Sequence, residues 1–212
     1  MTDLASLRRD YALATLSEKD VLGDPIAQFH RWFDEAVKAE SLEPNAMSLA
    51  TVGVGGQPSA RIVLLKGTDP RGFVFFTDYR SRKGDELNAN SKAALCFWWG
   101  ELQRQVRITG TVERVSREES AAYFKTRPRG SQLGAWSSTQ SSVLPSRDAL
   151  DVRVRDTQRR FTDGDVPLPD HWGGYRVRPD EIEFWQGREN RLHDRIQYRR
   201  AGEDWTIARL SP

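Results

Sequence analysis

The feature that most restricts the fold of this chain is a succession of short strand-like runs joined by tight turns, with no strand–helix–strand rhythm. Met47–Val52 alternates apolar and polar side chains, and Gly53-Val-Gly-Gly-Gln-Pro58 turns it toward Arg61-Ile-Val-Leu-Leu-Lys66. Gly67-Thr-Asp-Pro-Arg-Gly72 turns the chain again into Phe73-Val-Phe-Phe-Thr77. Short apolar or alternating runs bounded by Gly, Pro and Asp read as β-strands, and the first of these cation-flanked runs reads as a buried one. Ala93–Trp99 and Gln105–Val115 continue the series, the latter with Val106, Ile108 and Val112 alternating against Arg107, Thr109 and Thr111. Gly110 within it suggests a bulge or a close backbone approach. A meander closes the chain: Tyr175–Arg178 leads through Pro179-Asp180 to Glu181–Gln186, then come Arg191–Arg199 and Trp205–Leu210. Turn-linked strands pair antiparallel, so the expected class is mainly β with peripheral helices, built on an antiparallel barrel.

The helices announce themselves by their starts. Asp24-Pro25 is an N-cap followed by proline at the first helical position, and Ile26, Phe29, Phe33 and Val37 recur at helical spacing to about Glu40. Ser81 caps a short helix through Asn90, and Ser116-Arg-Glu-Glu119 is a capping box whose helix ends at Pro128. Ser146 caps a further helix to about Phe161. Between these last two, Arg129–Ser142 reads as a connection rich in hydroxyls and amides. Residues 3–22 are helix-compatible but too polar to hold a helix alone, and so form a mobile arm or a lid that docks. The expected organisation is an N-terminal arm (1–22) and one domain (23–212) that ends in the meander (172–212).

Bulk composition removes several classes of function. Among 212 residues, 32 basic and 30 acidic side chains leave a formal net charge of +2, which gives no general reason to expect nucleic acid or membrane as a partner. The one cysteine, Cys96, excludes an internal disulfide and a Cys-rich metal site, and its apolar neighbours suggest a core thiol. No apolar run approaches the ~18 residues of a membrane span and no signal peptide is visible, so the default compartment is the cytoplasm. The glycines of 53–56 do not form a dinucleotide fingerprint.

The cations carry the chemistry. Arg80, Arg82 and Lys83 sit at the start of the Ser81 helix, where the macrodipole is already positive, and Arg61 and Lys66 flank the adjacent strand. Such a cluster is either a solvated basic turn or, with free backbone N–H groups at the same place, a site for a bound anion such as a phosphate. Arg61 and Lys66 aimed at the same place favour the second. Tyr123 and Arg127 are four apart on one helix and share a face. They are placed to grip a second phosphate, or equally to pack an exposed arginine on a ring. Period-two geometry puts Arg191, His193 and Arg195 on one face of the strand Arg191–Arg199, either a solvated face or a site. Three cations side by side cost a few tenths to about one kcal/mol per close pair, which an anionic or planar, electron-rich ligand would offset.

Taken together, Arg61-Ile-Val-Leu-Leu-Lys66, Ser81-Arg-Lys83, Arg127-Pro-Arg129, Ser131-Gln-Leu-Gly-Ala-Trp136, Gln140-Ser-Ser142, Pro167-Leu-Pro169, Trp172-Gly-Gly174, Glu183-Phe-Trp-Gln-Gly187 and Arg191-Leu-His-Asp-Arg195 closely resemble the pyridoxine/pyridoxamine 5′-phosphate oxidase family. The resemblance implies an FMN-binding split β-barrel of antiparallel Greek-key type, acting as a homodimer with FMN between subunits. It implies oxidation of pyridoxamine and pyridoxine 5′-phosphate to pyridoxal 5′-phosphate, with O₂ reduced to H₂O₂. Carried over by motif, Arg61, Lys66, Arg82 and Lys83 hold FMN, chiefly its phosphate. Ile62, Val63, Leu64, Phe76 and Thr77 line the flavin, and Gln105, Gln140, Ser141, Trp185 and Arg195 complete the set. Lys66, Tyr123, Arg127 and Ser131 grip the substrate phosphate, Arg191 and His193 flank its ring as the catalytic pair, and Arg8 and Tyr11 match a segment that closes over it. Phe76 stands where the family commonly has tyrosine. The rival functions are another flavin oxidoreductase on the same barrel and a non-catalytic carrier of FMN or pyridoxal phosphate.

Overall fold

The computed structural model describes residues 2–7 and 10–212, so the expected site residue Arg8 lies outside the described residues. Helix α1 (Pro25–Lys38) starts where Asp24 accepts hydrogen bonds from the amides of Ile26 and Ala27. It buries Ile26, Phe29, Trp32 and Ala36 rather than the expected Ile26–Phe29–Phe33–Val37 face, and Val37 is exposed. The reason is Trp32, whose ring meets Phe184 edge-on at 5.2 Å while Phe29 reaches Phe73 and Phe97 at 5.0 and 5.1 Å. The larger ring captures the core-facing position.

Strands β1 (Ala46–Val52), β2 (Pro58–Leu64), β3 (Gly67–Asp69), β4 (Gly72–Asp78), β5 (Lys92–Trp99), β6 (Arg104–Arg114), β7 (Trp172–Gln186), β8 (Asp194–Ala201) and β9 (Asp204–Arg209) form one curled sheet. Its order is β2-β1-β5-β6-β7-β4-β3, with β8 also on β7 and β9 on β8. Every pairing is antiparallel. The long β7 splits the barrel: its first half pairs with β4 and its second half with β8. The sheet curls around Phe29, Phe73, Phe75, Phe97, Trp99, Ile108, Val177, Phe184 and Tyr198, all essentially removed from solvent.

Four details depart from the sequence reading. The run 61–66 is not a buried strand: among the described residues β2 has β1 as its one strand partner, and Ile62 is 67% exposed. The Pro179-Asp180 break is a bulge inside β7, opposite Thr109/Gly110, and a Cβ on Gly110 would stand 2.0 Å from the Arg178 carbonyl oxygen. That is the close approach for which glycine is needed. Arg129–Ser137 is a helix (α4) and not a plain connection, because Leu133 is buried at its inner face against the ring cluster of Phe124 and Trp172. Cys96 is only half buried and alternates out of the core between Leu95 and Phe97.

The remaining helices, α2 (Arg82–Ala89), α3 (Arg117–Thr126) and α5 (Arg147–Arg160), lie outside the barrel, with α3 and α4 capping a second apolar cluster around Phe124, Leu133, Val166 and Trp172. Among the described residues of the arm, the one helical piece is a 3₁₀ turn at Leu4–Ser6. It runs along the barrel, donating from the Leu13 amide to Gln103 and from the Leu16 amide to Asp194, with Leu16 buried. Among the described residues no helix is long and apolar enough to cross a membrane.

Candidate functional site

The chain leaves β2 at Leu64 and crosses to β4, with the Leu65 amide bonded to Asn45 and the Lys66 amide to Val74. That crossing lays the 61–66 run beside Phe76 and Thr77 and opens a cleft of about 1150 Å³. Arg61, Ile62, Val63, Leu64 and Lys66 form one wall, Phe76, Thr77, Arg82 and Lys83 the floor. Tyr123, Arg127, Ser131, Gln140 and Ser141 complete the lining. Two anion-seeking groups inferred separately from sequence therefore share one cavity.

Within it the charges are unevenly answered. Ser81 caps α2 by accepting from the Gly84 amide, and Lys83, nearly buried, donates to Thr77 Oγ1 at 3.1 Å, Ser81 Oγ at 3.2 Å and Gln140 Oε1 at 2.9 Å. Those partners are neutral oxygens. Burial, and then the Arg61 guanidinium, push the Lys83 ammonium below its ordinary range. Arg127 stands 4.6 Å over the Trp172 ring, and its buried Nη1 has no hydrogen-bond partner among the described residues. Burial lowers its pKa as well. A buried guanidinium N–H with nothing to donate to is costly, and an anion in the cleft removes the cost. Phe76, Tyr123 and Trp172 stack nearly parallel beside it, with Phe76 and Tyr123 at 4.0 Å, as a flat apolar wall.

Sequence reasoning missed the carboxylate that organises Arg61 and Arg82. Glu86, buried one helical turn after Arg82, accepts from Arg61 Nη2 at 3.0 Å and Arg82 Nε at 2.9 Å, and from the hydroxyls of Thr51 and Ser59. The four-residue spacing from Arg82 was the available signal. Arg80 does not join the cluster, because Asp78 holds its guanidinium at 2.8 Å.

The other expected residues stand elsewhere. Arg191 and His193 are not on a strand: a 3₁₀ turn spans Glu189–Arg191 and β8 begins at Asp194. Asn190 and Arg191 both take positive φ, 55° and 61°, which is local strain of about 1 kcal/mol or more each for residues with a Cβ. They line a second cleft of about 790 Å³ with Leu7, Asp10, Tyr11, Arg188 and His193. Tyr11 packs there against Trp185 and His193, with ring centroids 5.9 and 6.0 Å away. Arg195 does not stand free beside them but is ion-paired with the buried Glu183 at 2.9 Å. Gln105 and Trp185 are cross-strand neighbours, and Trp185 is paired in turn with Arg195. From β2 to β7 the sheet takes four strand steps, roughly 19 Å along its curve at ~4.8 Å each. The sequence-derived set is thus divided between two places on one chain.

Comparison with known proteins adds to this geometry. Residues 33–160 match the family described as pyridoxamine 5′-phosphate oxidase. Residues 172–212 match the pyridoxine 5′-phosphate oxidase C-terminal dimerisation region. The chain is 61% identical to a pyridoxine/pyridoxamine 5′-phosphate oxidase of Cupriavidus necator, over all of both chains. It is 60% identical to one of Rubrobacter xylanophilus, over 99% of this chain and 97% of that one. Among solved structures, PhzG from Burkholderia lata 383, in complex with tetrahydrophenazine-1-carboxylic acid, superposes with a TM-score of 0.88 at 32% identity, covering 94% and 99% of the two chains. A pyridoxamine 5′-phosphate oxidase-related, FMN binding protein of Nostoc punctiforme shares the fold at a TM-score of 0.70 and 18% identity, covering 87% and 97%.

Proposed function

Because the chain belongs to the pyridoxamine 5′-phosphate oxidase family, we propose that it converts pyridoxamine and pyridoxine 5′-phosphate to pyridoxal 5′-phosphate with FMN as its cofactor. Pyridoxine 5′-phosphate and O₂ yield pyridoxal 5′-phosphate and H₂O₂; the amine substrate also takes up water and releases ammonia. The observation that carries this is the single cleft in which Lys83 and Arg127 are both desolvated and neither forms an ion pair with a carboxylate among the described residues. Buried Lys83 and half-buried Arg127, both lining one cavity, suit two phosphates. FMN held in this cleft would supply the redox chemistry, as acceptor of the substrate's hydride and donor of electrons to O₂.

The protein's own work is to hold and orient. Arg61, Lys66, Arg82 and Lys83 take the FMN phosphate, with Thr77, Gln140 and Ser141 beside them and the backbone of Ile62, Val63 and Leu64 along the ring system. Arg127, with Tyr123, Ser131 and Lys66, takes the substrate phosphate, and Phe76 and Trp172 keep water from the apolar wall. Holding the substrate's reacting carbon in place beside the cofactor is what would accelerate the step.

Arg191, His193, Tyr11, Gln105, Trp185 and Arg195 reach this cleft from a second copy of the chain. Four of the six lie within 172–212, the region matched to the family's dimerisation segment. The outer face that carries Ile62 (67% exposed) and Trp98 (52% exposed) offers apolar surface for such a pairing. The test is to add pyridoxamine 5′-phosphate to the yellow protein without oxygen. Bleaching that air reverses is the expected result. A yellow protein that keeps its colour is a carrier, and one bleached only by other reductants is a different flavin enzyme.

A further inference from the structure

We propose that Asp194 is a positioning residue, one carboxylate that ties the N-terminal arm to the loop holding His193 in its Nε2–H tautomer. The inference draws on the proposed function only for the kinetic part of its test.

Asp194 opens β8 opposite Gln186, with its side chain 16% exposed. Its Oδ2 accepts from the Leu16 amide at 3.0 Å and from Arg188 Nη1 at 2.9 Å, and its Oδ1 accepts from Arg209 Nη1 at 2.8 Å. Arg209 completes the arm's anchorage, donating to the Leu16 carbonyl and, through Nε and Nη2, to both carboxylate oxygens of Glu18, all at 2.9 Å. The arm is therefore gripped at residues 16–18 while the segment before it extends over the second cleft. There Tyr11 sits against Gly187 so closely that a Cβ on that glycine would come within 2.8 Å of it.

The same carboxylate acts on His193 through Arg188. The Arg188 backbone N–H donates to His193 Nδ1 at 3.1 Å. A backbone amide can only donate, so Nδ1 is the acceptor and carries no proton. The neutral ring must then carry its hydrogen on Nε2, and this is the polar group it can offer a ligand in the cleft. His193 in this state donates a hydrogen bond and does not act as a base through Nε2. The loop 187–193 contains two residues of positive φ, Asn190 and Arg191, so it needs an external restraint. Asp194 supplies one by fixing the Arg188 guanidinium. Loss of its charge releases Arg188, and with it the ring, and Leu16, and with it Tyr11.

The test uses the full-length, flavin-loaded protein with ¹⁵N-labelled histidine. In the unaltered protein His193 should show one pyridine-like nitrogen at Nδ1 and one protonated nitrogen at Nε2. Asp194→Asn should move both signals toward an averaged tautomer mixture and speed chymotryptic cleavage after Tyr11 at least fivefold. It should also raise KM for pyridoxamine 5′-phosphate at least fivefold while FMN affinity stays within twofold. Arg188→Ala should move the nitrogen signals but leave the cleavage rate unchanged, since Leu16 keeps its acceptor. If Asp194→Asn alters neither the signals nor the cleavage, or only one of them, the proposal fails. If that variant does not fold, Arg188→Ala decides, and unchanged nitrogen signals overturn it. Neither the nitrogen nor the cleavage measurement needs turnover, so failure here is distinct from failure of the proposed reaction.

Discussion

Replacing Glu86 by glutamine removes a buried negative charge from between Arg61 and Arg82 while keeping the side chain's size. The Glu86 side chain is 9% exposed and accepts hydrogen bonds from Thr51 at 2.5 Å, Ser59 at 2.6 Å, Arg82 at 2.9 Å and Arg61 at 3.0 Å. Burial pushes its carboxyl up, but the hydrogen bonds from Ser59, Thr51, Arg82 and Arg61 outweigh burial and bring it from 4.5 to about 2. A drop of that size, at 1.36 kcal/mol per pKa unit, corresponds to about 3 kcal/mol of stability. Because the folded pKa is the lower one, that stability is present above pH ~4.5 and is lost as pH falls through ~2. Urea denaturation of the purified protein and of Glu86→Gln should differ by about 3 kcal/mol at pH 6, and by about half that at pH 3. Arg61 and Arg82, no longer anchored, should also hold FMN less tightly. A difference below about 1 kcal/mol at pH 6, or one that does not shrink at pH 3, would refute the account of Glu86 as the ionised anchor of these arginines.

Three further outcomes are expected. Arg191→Ala should slow turnover far more than it weakens FMN binding, measured by steady-state kinetics and flavin titration; equal losses would make Arg191 a cofactor ligand. Arg127→Ala should raise KM for pyridoxamine 5′-phosphate tenfold or more and leave the urea midpoint nearly unchanged, because the buried Nη1 has no hydrogen-bond partner among the described residues. A lowered midpoint with unchanged KM would make Arg127 structural. Gly110→Ala should cost at least about 2 kcal/mol in thermal or urea unfolding, since its Cβ would meet the Arg178 carbonyl at 2.0 Å and force the bulge open.

Local rules written into the sequence determined the helix starts at Asp24, Ser81, Ser116 and Ser146, each confirmed as an N-cap, and the antiparallel character of the sheet. Capping and alternation act over a few residues, so a single sequence displays them. The first cleft was legible for a related reason: Arg61–Lys66, Phe76–Thr77 and Arg82–Lys83 follow one another along consecutive elements. What local rules cannot set is the environment of a side chain after the sheet has curled. Whether 61–66 was buried, whether 129–137 would coil against Trp172, and which carboxylate would meet Arg195 depended on partners far along the chain. The clearest case is the loop 187–193, where strand alternation foretold a row of three cations. A 3₁₀ turn with two left-handed residues replaced it, because Arg188 is drawn to Asp194 while that carboxylate is also holding Leu16, 178 residues earlier. Only folding brings those groups within hydrogen-bond range, and only then is the direction in which His193 presents its proton decided.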